Sequence, residues 1–199
     1  MTGNNAEKKT KEPHVVRVDP YGNGFTDRQG SLRTVTKSFA HRYGILHQAI
    51  SVFIFDHQQR LLLQQRQHGK YHSADLWSNT CCSHPEPNEL PIEAAARRLD
   101  EEMGISCDLV EVFTHLYRIE FTPEMKEHEF DHVFFGLSDD RPAIDTAEAQ
   151  DYRYVSLAEL DEDIRLHPEC YTYWLREILP KVRGVWGFVK MLTSRGEGG

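Results

Sequence analysis

Two apolar runs around a short polar turn constrain this chain more than any other feature. AISVFIFD at 49–56 is rich in β-branched and aromatic side chains, and RLLLQQR follows at 60–66 after a short polar turn. Such a pair reads as a β-hairpin. Further along, LPIEAAARRLDEEMGI at 90–105 reads as a helix. Pro91 suits its first turn, Gly104 its end, and Ala95, Leu99 and Met103 recur every four residues as one apolar stripe. Strands are predicted at 14–18, 109–121 and 127–138, and a short one opens at YRYVS after an acidic loop over 139–151. SLAELDEDIR predicts a helix capped by Ser156, and YTYWLREILPKVRGVWGFVKML an amphipathic helix interrupted at Pro180. The sum is an α/β (α+β) fold: one domain over 14–192 with a mixed β-sheet flanked by helices, between disordered tails at 1–13 and 193–199.

Composition removes several function classes. There are 31 acidic against 23 basic residues, a net charge of -8, which argues against a nucleic-acid binder. No apolar run approaches the length of a membrane span, and MTGNNAEKKTKEP has no apolar segment behind its lysines, so a cytoplasmic protein is expected. The four cysteines, Cys81, Cys82, Cys107 and Cys170, form no CxxC pair, which argues against a zinc ribbon. Oligomeric state is left open.

Chemistry-bearing residues gather in three places. His41 and His47 precede the 49–56 strand, and His84 sits in NTCCSHP. Glu127 and Glu129 sit in EHEF, where a strand points both carboxylates the same way. Three imidazoles and two carboxylates can close on one divalent ion. The predicted helix carries the spacing E-x7-R-R-L-x-E-E-x-G-I from Glu89 to Ile105. As a plain amphipathic helix it would pair Glu93 with Arg97 and Arg98 with Glu102 on its surface. The stretch 67–90 has little periodicity and many His, Cys, Pro and Asn residues, as functional loops do.

The helix spacing resembles a Nudix box, with Ser83 where that pattern has Gly and Arg98 where it has Glu. Together with AHRYGILHQAISVFIF, LLLQQR, WSNTCCSHP, EHEFDH and YTYW, it resembles the type 1 isopentenyl-diphosphate isomerases, metal-dependent enzymes with a Nudix-like sandwich, over roughly residues 35–180. The resemblance implies a divalent ion (Mn2+, Zn2+ or Mg2+) on His41, His47, His84, Glu127 and Glu129. It implies a catalytic thiol at Cys82, an active-site tyrosine at Tyr117 and a tryptophan beside the reacting carbon at Trp174. It further implies a substrate-linked Mg2+ at Glu102, and a diphosphate held by Lys37, Arg66, Lys70 and Arg98. In that chemistry Glu129, linked to Tyr117, delivers a proton while Cys82 relays one on the opposite face. The partner is a small-molecule diphosphate, not nucleic acid or membrane. Residues 19–34 lie outside what the resemblance accounts for. Two other classes compete: a pyrophosphohydrolase acting on a nucleotide diphosphate, which leaves Cys82, His84, Glu127 and Glu129 idle, and a non-catalytic binding domain on the same scaffold.

One further expectation follows from alternation. If NTCCSHP is extended, Cys82 shares a face with His84, while Cys81 faces away as a small apolar group.

Overall fold

The hairpin lies at the centre of the molecule. The computed structural model describes residues 12–194. In it β1 (His14–Val16) and β2 (Thr34–Thr36) pair as a small separate sheet that leads into α1 (Lys37–Tyr43). The 49–56 run becomes β3 (His47–Phe55), and 60–66 becomes β4 (Arg60–Arg66). The Asp56 carboxylate closes the turn between them by accepting from the Arg60 amide at 2.8 Å.

The sequence runs on through β5 (Trp77–Ser78), β6 (Cys81–Ser83), α2 (Pro91–Met103), β7 (Leu109–Thr122), β8 (Met125–Leu137), β9 (Ala149–Ser156), α3 (Leu157–Leu166) and α4 (Tyr173–Ser194). The main sheet has the order β5-β4-β3-β8-β7, with β6 paired to β3 and β9 to β4. β3 and β8 run parallel while the other pairs are antiparallel, so the sheet is mixed as expected.

β3 explains why its sequence is apolar without alternation: helices cover both faces of the sheet. Phe53 and Phe55 pack with Leu160 of α3 and with Leu175, Ile178 and Trp186 of α4. Ile50, Val52 and Ile54 pack with Ala95, Leu99 and Met103 of α2. The predicted stripe is therefore the buried face of α2, and full burial of Leu99 or Met103 contributes about 1.5–3 kcal/mol each. Gly104 ends α2 at φ 62°, and a Cβ there would lie 2.9 Å from the Ala143 carbonyl oxygen. Both facts call for glycine.

Several boundaries differ from expectation. α4 is not interrupted at Pro180 but runs through it. Pro180 is exposed, so the carbonyl it deprives of a donor can face water, while Ile178, Leu179 and Val182 anchor the helix on both sides. α4 also takes in residues 193–194 of the expected C-terminal tail. Of the expected N-terminal tail, residues 1–11 lie outside the described residues, as do 195–199 at the other end. Glu12 and Pro13 are held against α1, where the Lys37 amide donates to the Pro13 carbonyl at 2.9 Å and the Ser38 amide to the Glu12 carboxylate at 3.2 Å. β9 begins at Ala149, inside the stretch expected as loop, because it pairs with nearly the whole of β4. Ser156 caps α3 as predicted, with Glu159 accepting in return from the Ser156 amide. No helix among the described residues is long and apolar enough to cross a membrane.

Candidate active site

A cavity of about 160 Å³ opens where β3 and β8 begin, walled by α1, β6, the loop 67–76 and the start of α4. Of the residues singled out from sequence, all line it except His47, which is fully buried behind. The sheet register does much of this. Parallel pairing sets His47 beside Glu129. β6 pairing sets Cys82 opposite Ser51, and the β7–β8 ladder sets Tyr117 opposite Glu129. α1 adds Lys37 and His41, one turn apart on one helix face.

Three imidazoles converge on one carboxylate. The Nε2 atoms of His41, His47 and His84 lie 3.7, 3.6 and 3.2 Å from Glu129 Oε1. One ligand atom from each of the four residues lies within 4.8 Å of all the others. His47 Nδ1 is 2.7 Å from the Ile45 carbonyl oxygen, so it is the protonated nitrogen and its Nε2 carries the lone pair. The Nε2 atoms of His41 and His47 are buried with no hydrogen-bond partner. Burial pushes His41 down to about 2 and, with Lys37 nearby, His84 down to about 4, so both rings are neutral. Burial alone would raise Glu129, but the His47 and His84 imidazoles beside it outweigh that and hold the carboxyl well below its usual range. Two ring nitrogens without a partner, those of His41 and His47, with His84 and a carboxylate beside them fit a divalent cation.

Glu127 stands outside this group of four. It accepts from the Tyr117 hydroxyl at 3.1 Å and lies 3.6 Å from His72 Nε2. Burial, then the Glu129 charge, raises its carboxyl to about 8. The same Tyr117 hydroxyl approaches Glu129 Oε2 at 2.7 Å.

The two adjacent cysteines face opposite ways. Cys81 is fully buried among Ile50, Val52 and Leu99. Cys82 faces the cavity, and its thiol donates to Asn79 Oδ1 at 2.9 Å, with Ser51 Oγ 3.7 Å away. Burial and nearby Asp131 push Cys82 up to about 12, so it carries its proton. The Trp174 indole donates to Ser78 Oγ at 3.0 Å, and the Arg66 guanidinium sits 5.2 Å from its ring centre.

At the α2 end the charges pair among themselves. Arg98 donates to Glu102 at 2.7 Å and to Glu148 at 3.1 Å, and Lys70 pairs with Glu148. Gln64 donates to the other oxygen of Glu102 at 3.1 Å. The Arg98–Glu102 pair thus belongs to the cavity wall, with Glu102 only 3% exposed. The expected Glu93–Arg97 pair is not seen: Glu93 accepts from the Leu90 amide, and Arg97 binds Glu89 and Glu101.

Sequence reasoning missed Tyr71, His72 and Glu148 on the cavity wall, and the Ser51–Asp131 pair behind Cys82, bonded at 2.7 Å. Asp131 had a signal, since it continues the Glu127, Glu129 alternation on β8. The others lie in loops or on strands that only the fold brings near.

Fold and site together define the class, and residues 45–180 match the NUDIX domain model. The DR0079 protein of Deinococcus radiodurans shares the fold, with a TM-score of 0.64 at 15% identity over 84% of this chain and 98% of that one. Closer sequences narrow the class. An isopentenyl-diphosphate Delta-isomerase 1 of Aromatoleum aromaticum is 53% identical, covering 86% of this chain and 93% of its own. An isopentenyl-diphosphate Delta-isomerase 2 from the same organism is 49% identical over 86% and 87%. One from Pectobacterium atrosepticum is 46% identical over 80% and 89%. The chain belongs to the isopentenyl-diphosphate Delta-isomerase family.

Proposed function

We propose that the protein interconverts isopentenyl and dimethylallyl diphosphate, shifting a carbon–carbon double bond through a carbocation. One observation carries this reading: a thiol, Cys82, and a carboxylate, Glu129, line one cavity with an indole and four basic side chains. An unactivated alkene needs a proton delivered at one carbon and another removed next to the resulting cation. Glu129 would deliver the proton on one face and Cys82 relay one on the other, and the two roles exchange when the reaction runs backwards. Tyr117 bridges Glu127 and Glu129 and keeps the Glu129 carboxylate in place. Trp174 offers a π face to the cation, an interaction worth roughly 2 kcal/mol or more when desolvated. The cation needs shelter from water, which would otherwise add to it.

His41, His47, His84 and Glu129 would hold a divalent ion (Mn2+, Zn2+ or Mg2+), with Glu127 beside them. When bound, that ion supplies positive charge that fixes and polarises the Glu129 carboxylate. Glu102 would serve a substrate-linked Mg2+, while Lys37, Arg66, Lys70 and Arg98 grip the diphosphate. The substitution of Arg98 for the Nudix-box Glu favours holding the diphosphate intact over hydrolysing it.

The test is incubation with Mg2+ and isopentenyl diphosphate. Dimethylallyl diphosphate without released phosphate is the expected product. Released phosphate with no isomer would establish a hydrolase instead.

A further inference from the structure

The loop 67–76 meets the metal-type cluster at His41, whose ring lies 6.1 Å from the rings of both Tyr71 and His72. The Tyr71 hydroxyl lies 2.7 Å from His41 Nδ1, on the opposite edge of the ring from the Nε2 that faces Glu129. His47 has the same arrangement, with its Nδ1 on the Ile45 carbonyl, but there a backbone atom within its own chain segment does the work. His41 lacks such a carbonyl and relies on a side chain thirty residues away.

The loop that carries Tyr71 is held firmly. The Arg66 guanidinium donates to the Ser73 carbonyl at 3.1 Å and the His72 carbonyl at 3.3 Å. Gln65 donates to the Asp75 carbonyl at 2.9 Å. The loop backbone takes left-handed φ values of 50° at Ser73 and 65° at Asp75, which side-chain residues adopt only when contacts fix them. The same loop presents Lys70 to the α2 end of the cavity. Tyr71 itself is 60% exposed, so the ring adds little to the core. Its ring also lies 6.0 Å from Lys37 Nζ, on the helix turn before His41.

We infer that Tyr71 is a positioning residue for the metal site: its hydroxyl accepts from His41 Nδ1–H, which leaves the Nε2 lone pair aimed at the cation. A neutral imidazole has one N–H, so a partner at Nδ1 that accepts decides which nitrogen is free. Hydrogen-bond partners of this kind commonly set metal affinity by about 10–100-fold. Lys70 and Tyr71 are adjacent, so whatever moves the diphosphate-facing lysine also moves the partner of His41.

This inference rests on the reading of the cluster as a cation site, and the test separates the two. Tyr71→Phe removes the hydroxyl and keeps the ring over Lys37. Mn2+ affinity is measured by calorimetry on the full chain, alongside the melting temperature of the metal-stripped protein. The expected result is a dissociation constant raised about 10–100-fold with the metal-free melting temperature unchanged. In parallel, nitrogen-15 NMR of the metal-free protein reads the His41 tautomer. The expected signature is Nδ1–H in the unsubstituted protein and a mixture of tautomers in Tyr71→Phe. If neither protein binds Mn2+, the cation reading fails, and the tautomer still decides the role of Tyr71. Equal Mn2+ affinity in both proteins, or a His41 tautomer that Tyr71→Phe leaves unaltered, would overturn the inference alone.

Discussion

At the β3–β8 end of the cavity the Nε2 atoms of His41 and His47 are buried without a hydrogen-bond partner, whereas at the α2 end Arg98, Lys70, Glu102 and Glu148 pair with one another. An unsatisfied buried polar group costs about 1–3 kcal/mol. Two of them in one cluster fit the divalent cation proposed above. The α2 end is already neutralised within the chain. On the proposed reading, a diphosphate with its counter-ion would enter it by exchanging partners, with basic groups turning to phosphate and carboxylates released. One end thus gains a ligand and the other swaps one set of pairs for another. Perturbing the first should cost far more.

Metal removal is the largest expected effect. Losing the cation forfeits several kcal/mol of charge stabilisation, a drop in kcat of about a thousandfold or more. Dialysis against a chelator should abolish isomerisation, and a divalent metal should restore it. His47→Ala should lose both bound metal, read by elemental analysis, and the capacity for rescue. Full turnover in a rigorously metal-free sample would erase the contrast between the two ends.

The contrast sharpens at β6, between two neighbouring residues. Cys82→Ala should lower kcat by about 10²–10⁴-fold, the usual contribution of a positioned proton donor. Cys81→Ala removes a buried sulfur from the core and should cost on the order of 1 kcal/mol of stability, with kcat nearly unchanged. Paired kinetics and urea unfolding read both. Strong loss of turnover in Cys81→Ala, with Cys82→Ala active, would reverse the assignment of the two faces.

How much of this was legible varies with the range of the forces involved. The hairpin, the α2 stripe and the Ser156 cap follow from local pattern, and the structure has them. Cys81 and Cys82 separate as alternation predicts, because β6 is extended even over three residues. By contrast α1 has only seven residues and buries only Ala40 and His41, too little for a periodic signal. β2 and β5 are two or three residues long and exist through pairing with distant strands. Pro180 misled because local rules break a helix there, while packing of α4 on Phe53 and Phe55 holds it together. Tyr71 and Glu148 lie on loops with no periodicity, and only the closure of the fold brings them to the cavity. The Nudix-box spacing located Arg98 and Glu102, but their pairing with Glu148, 50 residues from Arg98, carries no sequence signature.

The smallest predicted effects divide the α2 end itself, with opposite signs. Lys70→Ala removes a charge-assisted contact to the diphosphate, worth about 1.5–3 kcal/mol, so kcat/KM should fall about ten- to a hundredfold. Glu148 pairs with both Lys70 and Arg98, which on the proposed reading would have to leave it when a diphosphate arrives. Its ion pairs are partly open to solvent, so breaking them costs up to about 1 kcal/mol. Glu148→Gln removes that cost and should lower KM by up to about fivefold while changing kcat little. With the carboxylate gone, the freed cations should also make KM rise more steeply with added salt, since the remaining attraction is between charges near the surface. Steady-state kinetics at two salt concentrations measures both. A higher KM in Glu148→Gln, corrected by more Mg2+, would mean that Glu148 binds the substrate's cation. The α2 end would then resemble the β3–β8 end, a site waiting for metal, instead of one that trades partners.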